Sequence, residues 1–262
     1  MTSGATMKRF LVIPAFLALA ACHPQAPAAK TQVTVAAAAN LTDVFSQIGP
    51  AFETQTGIHP VFSFASTAQL TRQVENGAPF DLIAAADSEH ITELGNKGFL
   101  TPGTSVVYAR GVLALWIPPG SKAKIESIPD LAHPDVHMIA IAKPELAPYG
   151  QASVDTLEKL GIWNQVQSKI VYAENISMAR EYGQSRNADA VFTAYSLLLQ
   201  VNGKVIKVDE SLHKPLDQEL GVVAKSSRQD AAQQFANFIT AGQGQTILAG
   251  FGYLPPTESP VR

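Results

Sequence analysis

The stretch VTVAAAANLTDVFSQIGPAF, residues 33–52, joins a short β-rich run to small residues and then to a helical pattern. Its apolar residues from Leu41 onward recur at helical spacing, so we predict a strand, a tight turn at Asn40 and a helix. The same order repeats in residues 58–76 and again in residues 81–97. Three consecutive βα units predict a mostly parallel sheet with helices on both faces.

The second half of the chain repeats this organisation. A long apolar strand over residues 106–117 ends at the breaker Pro118-Pro119-Gly120, and a strand at residues 218–224 offers a way back. We therefore predict two similar α/β lobes joined by two long strands, with the cleft between them as the ligand site. The predicted boundaries are residues 33–110 with 225–256 for the first lobe and residues 111–224 for the second. The alternative is one continuous doubly wound sheet without a hinge.

The composition is typical of a globular protein of 262 residues. Lys and Arg together number 19 and Asp and Glu 22, so the net charge of −3 provides no basic field for nucleic acid or for a membrane surface. We expect neither as a partner. The single cysteine, Cys22, excludes an intrachain disulfide framework and a cysteine-based metal cluster.

The N-terminus predicts export. Lys8 and Arg9 precede an apolar run over residues 10–21, which has the length of a signal-peptide core and is too short to span a bilayer. The run ends in Leu19-Ala20-Ala21-Cys22, which resembles the bacterial lipoprotein signature. We predict residues 1–22 as a signal peptide and Cys22 as a lipidated residue, with an ordinary secretory signal as the alternative.

Two further features of this region bear on where the mature protein begins. Because Met7 directly precedes the basic pair, we favour Met7 as the start, with Met1 as the alternative. Residues 23–32 contain two prolines and three alanines, and we predict that they form a tether. Folding is then expected to begin near Val33.

Motifs that catalysis would require are missing from the sequence. It contains no G-x-S-x-G, H-E-x-x-H, P-loop or G-x-G-x-x-G pattern. His133 and His137 form the one close histidine pair, and Pro134 between them disfavours a helical metal site. Asp81 and Asp87 could act as an acid pair in an exported hydrolase, although acids there more commonly cap helices. We expect no enzyme activity.

Four turns place small or polar residues directly before a predicted helix. A helix N-terminus exposes N–H groups without intrahelical partners and carries roughly half a positive charge, so it attracts an anion without a cationic side chain. None of the four turns contains Lys or Arg. Each alone is what an ordinary helix cap would show, but together, in both lobes, they predict a site for a dianion. The turns are Ala39-Asn40, Ser66-Thr67, Tyr149-Gly150 and Asn175-Ile176-Ser177.

Several motifs resemble one protein family. The motifs are similar to those of the periplasmic molybdate-binding proteins of ABC importers, the ModA family, and they are residues 35–41, 64–67, 77–82 with 85–87, 148–150, 174–176 and 250–254. The resemblance covers about residues 33–256. It implies a two-lobed type II periplasmic binding protein fold, with two mixed or parallel sheets flanked by helices and joined by a two-strand hinge.

The resemblance also implies a function. The ligand would be molybdate, with tungstate bound comparably. No cofactor is implied, and the only metal would be the molybdenum of the oxyanion. The partners would be a membrane permease and its ATPase, the location the periplasm, and we expect a monomer.

The resemblance further implies the binding residues. Thr67 is favoured over Ser66 as the hydroxyl of the second helix, and Ile176 would contribute its backbone N–H. Asn40 would be the polar residue of the first lobe. The residues that match the family's binding positions are Ala39, Asn40, Ser66, Thr67, Tyr149, Ile176 and Thr193.

Two alternatives concern the details of this site. Where some family members have a tyrosine, this sequence has Thr193, and Tyr195 is displaced by two residues, so the fifth contact is Thr193, Tyr195 or Tyr149. The site could also be selective for another oxyanion, such as sulfate or phosphate. A carboxylate reaching the ligand would favour a protonated anion, and Glu174 and Asp43 lie near the turns.

Overall fold

The computed structural model describes residues 1–2 and 31–256, which form two five-stranded sheets with helices packed against them. The strands are β1 (Gln32–Ala38), β2 (His59–Ala65), β3 (Leu82–Ala84), β4 (Val106–Arg110), β5 (Leu113–Ile117), β6 (Ile139–Ala142), β7 (Ile170–Ala173), β8 (Ala190–Ala194), β9 (Lys204–Lys207) and β10 (Asp217–Val222). The helices are α1 (Thr42–Thr56), α2 (Thr67–Glu75), α3 (Glu89–Asn96), α4 (Pro148–Lys159), α5 (Trp163–Val166), α6 (Ile176–Gln184), α7 (Gln229–Thr240) and α8 (Gly242–Gly250).

Each sheet is the centre of one lobe and mixes parallel with antiparallel pairs. In lobe I the strand order is β2-β1-β3-β10-β4, with β1 parallel to β2 and β3 and with β10 antiparallel to β3 and β4. In lobe II the order is β7-β6-β8-β5-β9, with β6 parallel to β7 and β8 and with β5 antiparallel to β8 and β9. The prediction of two mixed sheets is confirmed, and the alternative of one continuous sheet is wrong.

The chain crosses between the lobes at two neighbouring segments. The apolar run predicted as one strand over residues 106–117 splits at Gly111 into β4 of lobe I and β5 of lobe II. The chain returns to lobe I between β9 and β10. The N–H of Gly111 in the first crossing donates to the carbonyl of Leu216 in the second at 2.8 Å, so the two crossings are in contact. The return comes earlier than the predicted position after residue 224, because β10 hydrogen-bonds between β3 and β4 inside lobe I.

Helices α1 and α7 pack their apolar faces on the lobe I sheet. Phe45 and Phe52 of α1 are fully buried, and both meet Phe235 of α7 edge-on, with ring centroids 5.8 and 5.0 Å apart. Burying one such phenylalanine contributes roughly 1.5–3 kcal/mol. This packing holds the start of α1, and the turn before it, at the carboxyl end of β1.

The N-terminal predictions lie largely outside the described residues. These are the signal peptide, the lipidation of Cys22, the choice between Met1 and Met7, and most of the tether. β1 begins at Gln32, the last residue of the predicted tether. In residues 31–256 no helix combines the length and the apolar character that crossing a membrane requires.

Candidate anion-binding site

One small cavity brings together most of the residues that the sequence analysis selected. The cavity lies between the lobes, and its volume of ≈ 10 Å³ has room for about one water molecule. Ala38, Ala86, Ala147 and Pro148 complete its wall, and their small or rigid side chains let backbone approach the centre. Thr193 does not line it. The predicted residues that do are Ala39, Asn40, Ser66, Thr67, Tyr149 and Ile176.

Lobe I contributes two helix starts to this wall. The single 3₁₀ turn Ala39–Leu41 leads into α1, and α2 begins at Thr67. The Ser66 hydroxyl donates to Gln69 Oε1 at 2.7 Å, so its proton is used within the turn. The Thr67 hydroxyl accepts from the N–H of Ala86 at 3.1 Å, which leaves its own proton for a ligand. This geometry supports Thr67 over Ser66 as the hydroxyl donor.

Lobe II contributes the starts of α4 and α6. Pro148 is the first residue of α4 and has no N–H, so the first backbone donor of this helix is Tyr149. Gly150 lets the helix approach the end of β6, because a Cβ at this position would lie 2.3 Å from the carbonyl oxygen of Ala142. In α6 the side chain of Asn175 caps the N–H of Met178 at 3.0 Å. Ile176 is the first residue of α6, and its N–H has no intrahelical partner and lies at the open end of the helix.

Among the residues that line the cavity, Tyr149 has the most informative polar side chain. The residue is 1% exposed, and its hydroxyl has no hydrogen-bond partner within residues 31–256. Burial, with a smaller effect of Tyr253 nearby, raises the pKa of Tyr149 well above its usual value, so the hydroxyl keeps its proton. A buried donor without an acceptor costs about 1–3 kcal/mol. A ligand whose atoms only accept hydrogen bonds would remove that cost.

Asn40 serves the site differently from the sequence prediction. Both protons of its side-chain amide are used, on Gln218 Oε1 and on the Tyr253 hydroxyl, each at 2.8 Å. The Tyr253 hydroxyl in turn donates to the carbonyl of Asn40 at 3.0 Å. The side chain therefore fixes the turn, and the donor that Asn40 can offer to the cavity is its backbone N–H.

Sequence reasoning missed the two partners of Asn40. Gln218 is fully buried in strand β10, and Tyr253 is nearly so. Gln218 lies between Asp217 and Glu219, so the local sequence did not mark it as a buried residue. Tyr253 lay within a motif that carried the family resemblance, without a role attached to it.

Neither Thr193 nor Tyr195 reaches the cavity wall. The Thr193 hydroxyl donates to the carbonyl of Ile176 at 3.3 Å and so supports the first turn of α6 from behind. The ring of Tyr195 lies under the ammonium group of Lys207, 3.9 Å from its centroid. Of the three candidates for the fifth contact, Tyr149 is the one that lines the cavity.

Within residues 31–256 the cavity wall carries no charged side chain, and the two acids near the turns are paired with cations. None of the ten residues that line it in the described part of the chain is Lys, Arg, Asp or Glu. Glu174 pairs with Lys143, and Asp43 pairs with Arg180. The two carboxylates that would have indicated a protonated ligand thus stay outside the wall. The cavity therefore offers hydrogen-bond donors without a fixed charge of either sign.

The acids considered for catalysis have structural roles. Asp81 is 2% exposed, accepts from the N–H of Thr34 at 2.7 Å and pairs with Arg228. Asp87 accepts from the N–H of His90 at 3.0 Å in the first turn of α3, so the capping prediction is confirmed for Asp87 and is wrong for Asp81. Within the described ranges, no cluster of three or more His, Cys, Asp or Glu could hold a metal ion.

Direct contacts tie the two lobes together on both sides of the cavity. The Ser177 hydroxyl of lobe II donates to the carbonyl of Ala39 at 2.9 Å, and the N–H of Ala68 in lobe I donates to the carbonyl of Leu146 at 3.1 Å. The lobes are closed in this structure. Two α/β lobes, two adjacent crossings and a donor-lined cavity between them define a hinged solute-binding protein.

Comparison with known proteins places the chain within that class. It belongs to the bacterial extracellular solute-binding protein family, whose sequence profile matches residues 33–254. It is 31% identical to the molybdate-binding protein ModA of Rhodobacter capsulatus, over 87% of this chain and 90% of that protein. ModA of Azotobacter vinelandii is also 31% identical, over 93% of this chain and 96% of that protein.

A solved structure agrees with these relatives. The Azotobacter vinelandii periplasmic molybdate-binding protein superposes with a TM-score of 0.82 at 29% identity, covering 86% of this chain and 100% of that chain. The resemblance inferred from the motifs is confirmed. Because the relatives are binding proteins of transporters, the protein is not an enzyme and the exported-hydrolase alternative is wrong.

Proposed function

We propose that the protein captures molybdate between its two lobes and delivers it to an ABC importer. The observation that carries the proposal is the cavity of uncharged donors formed by helix starts from both lobes, lined among others by Tyr149, whose buried hydroxyl has no partner within residues 31–256. The names of the relatives supply the identity of the oxyanion. Tungstate, a tetrahedral dianion of the same charge, is expected to bind comparably.

The chemistry of the wall selects against protonated anions. Molybdate is fully deprotonated at neutral pH, so its oxygens only accept hydrogen bonds, and every contact with a donor can be satisfied. Monoprotonated phosphate brings an O–H that needs an acceptor, and leaving it unpaired in a dry cavity costs about 1–3 kcal/mol. Sulfate meets the same donors as molybdate, so its rejection must come from the size of the cavity.

Calorimetric titration of the domain from residue 31 onward with molybdate, tungstate, sulfate and phosphate at equal ionic strength tests this proposal. We expect one-to-one binding of molybdate and tungstate, with sulfate and phosphate at least about a hundredfold weaker, a difference of roughly 2.7 kcal/mol. Preferred binding of sulfate would show that the ligand is sulfate and not molybdate, and the site would still be an oxyanion site. No heat with any of the four oxyanions would refute an oxyanion function.

The cellular setting forms a second part of the proposal. We propose that the mature protein works outside the cytoplasm, in the periplasm, attached to the membrane through a lipid on Cys22, and that it presents its closed form to a permease driven by an ATPase. No cofactor is required for capture or delivery. Mass spectrometry of the mature protein tests the anchor: a chain starting at a diacylated Cys22 is expected, and an unmodified N-terminus would refute it.

A further inference from the structure

Gly111 stands at the point where the chain passes from lobe I to lobe II. It follows β4 and precedes β5, and its N–H is bonded to the carbonyl of Leu216 in the returning segment. Among the described residues, glycines with positive φ number nine, and Gly111 is not one of them. Its backbone is therefore open to any residue, and a different property of glycine must matter here.

That property is space for Tyr149. A Cβ at Gly111 would lie 2.0 Å from the Tyr149 hydroxyl oxygen and 2.9 Å from the ring carbon that carries it. The next atom is Nε2 of Gln218, at 3.0 Å. Tyr149 has little room to move away, because it is 1% exposed. An alanine at position 111 would displace the hydroxyl.

We infer that Gly111 is a positioning residue for anion binding, because its missing side chain lets the Tyr149 hydroxyl stand in the cavity wall with its proton unused. The inference rests on the proposed function and deepens it by adding a residue that does not line the cavity. Gly111 does not touch the anion. It acts through the Tyr149 hydroxyl. Among the lobe II residues that line the cavity, Tyr149 is the one whose side-chain donor has no acceptor within residues 31–256.

Hinge flexibility is the competing explanation for a glycine between two lobes. It predicts that an alanine at position 111 impairs binding whether or not residue 149 carries a hydroxyl. Positioning predicts the opposite, because without the hydroxyl the contact at 2.0 Å is gone and the nearest atom is a ring carbon at 2.9 Å, so a much smaller shift is needed. The two explanations therefore differ in how Gly111→Ala combines with Tyr149→Phe.

The experiment compares four proteins by calorimetric titration with molybdate: the wild type, Gly111→Ala, Tyr149→Phe and the double variant. We expect each single variant to bind at least about tenfold more weakly, as for a lost hydrogen bond to a charged ligand. The double variant should bind no more weakly than the weaker single variant, because both changes remove the same contact. Gly95→Ala is the matched control, since a Cβ there meets nothing within 4 Å, and its affinity should equal that of the wild type.

Three results would overturn the inference while leaving the proposed function intact. They are a Gly111→Ala variant that binds within about twofold of the wild type, losses that multiply in the double variant, and a Tyr149→Phe variant that binds normally while Gly111→Ala does not. If Gly111→Ala fails to fold, the double variant decides: it should fold and bind like Tyr149→Phe, and its failure to fold would also overturn the inference. A wild type that binds no oxyanion would refute the proposed function first, and the inference with it.

Discussion

The ion pair between Asp43 and Arg180 gives the sharpest test of closure. Nη1 of Arg180, on α6 of lobe II, donates to Asp43 Oδ2 on α1 of lobe I at 2.6 Å and to the carbonyl of Leu197 at 3.1 Å. The two side chains are 15% and 33% exposed. Because the partners belong to different lobes, the bond between them exists only while the lobes are closed. Replacing Asp43 with Asn should therefore weaken ligand binding without touching the cavity.

The size of the effect follows from the burial of the pair. A charge-assisted hydrogen bond in a buried site is worth about 1.5–3 kcal/mol, and an exposed ion pair about 0–1 kcal/mol. For this half-buried pair we expect a contribution of about 1–2 kcal/mol to the free energy of lobe closure. Losing it would raise the Kd for molybdate about 5- to 30-fold. Asp43→Asn also frees the guanidinium of Arg180 to attract the dianion. The affinity of the single variant alone would therefore underestimate the contribution of the ion pair to closure.

A double-mutant cycle corrects for that attraction. Asp43→Asn, Arg180→Gln and their combination are titrated with molybdate at low and at high salt, and the coupling should be about 1–2 kcal/mol at low salt and smaller at high salt. Glu174→Gln is the matched control, because Gln69 of lobe I reaches Glu174 only at 3.4 Å. A coupling near zero, with Asp43→Asn no weaker than Glu174→Gln, would refute the reasoning.

Three further predictions concern single side chains. Thr67→Val should weaken molybdate binding about tenfold by calorimetry, because its hydroxyl holds the N–H of Ala86 and has a proton free for the anion. Asn40→Ala should lower the free energy of unfolding in urea by about 2–3 kcal/mol, since it leaves Gln218 and Tyr253 without their buried partner. His90→Gln should destabilise the protein in urea more at about pH 5.5 than near pH 9. The hydrogen bond to Asp87 raises the pKa of His90, so its stabilisation is complete below the unfolded pKa of 6.5 and is lost as the pH rises through the folded pKa. Equal destabilisation at both pH values would contradict that sign.

Local patterns predicted the first βα units and most of the wall of the site. The helix expected after Asn40 is α1, because its apolar residues from Leu41 onward recur at helical spacing on one buried face. The turns that line the cavity were also found, because a free N–H at a helix start is a property of the local chain. The sequence thus indicated six of the residues in the wall.

Long-range contacts account for what the sequence did not predict. The side chain of Asn40 was expected to donate to the ligand, but its protons go to residues 178 and 213 positions away, which no local pattern predicts. Thr193 was expected in the wall, but the end of β8 brings it behind Ile176. The apolar run over residues 106–117 was predicted as one strand, and only the pairing partners of its two halves show that they belong to different sheets.

The absence of fixed charge in the wall connects selectivity to closure. A lysine in either lobe would attract any anion, including monoprotonated phosphate, before the lobes meet. Neutral donors on one lobe alone leave much of a tetrahedral dianion in water, so strong binding requires the helix starts of both lobes at once. The direct contacts between the lobes, from Ser177 to Ala39 and from Arg180 to Asp43, form in that same step. Affinity and closure are then one equilibrium, in which an anion that fails to satisfy the Tyr149 hydroxyl also fails to stabilise the closed form.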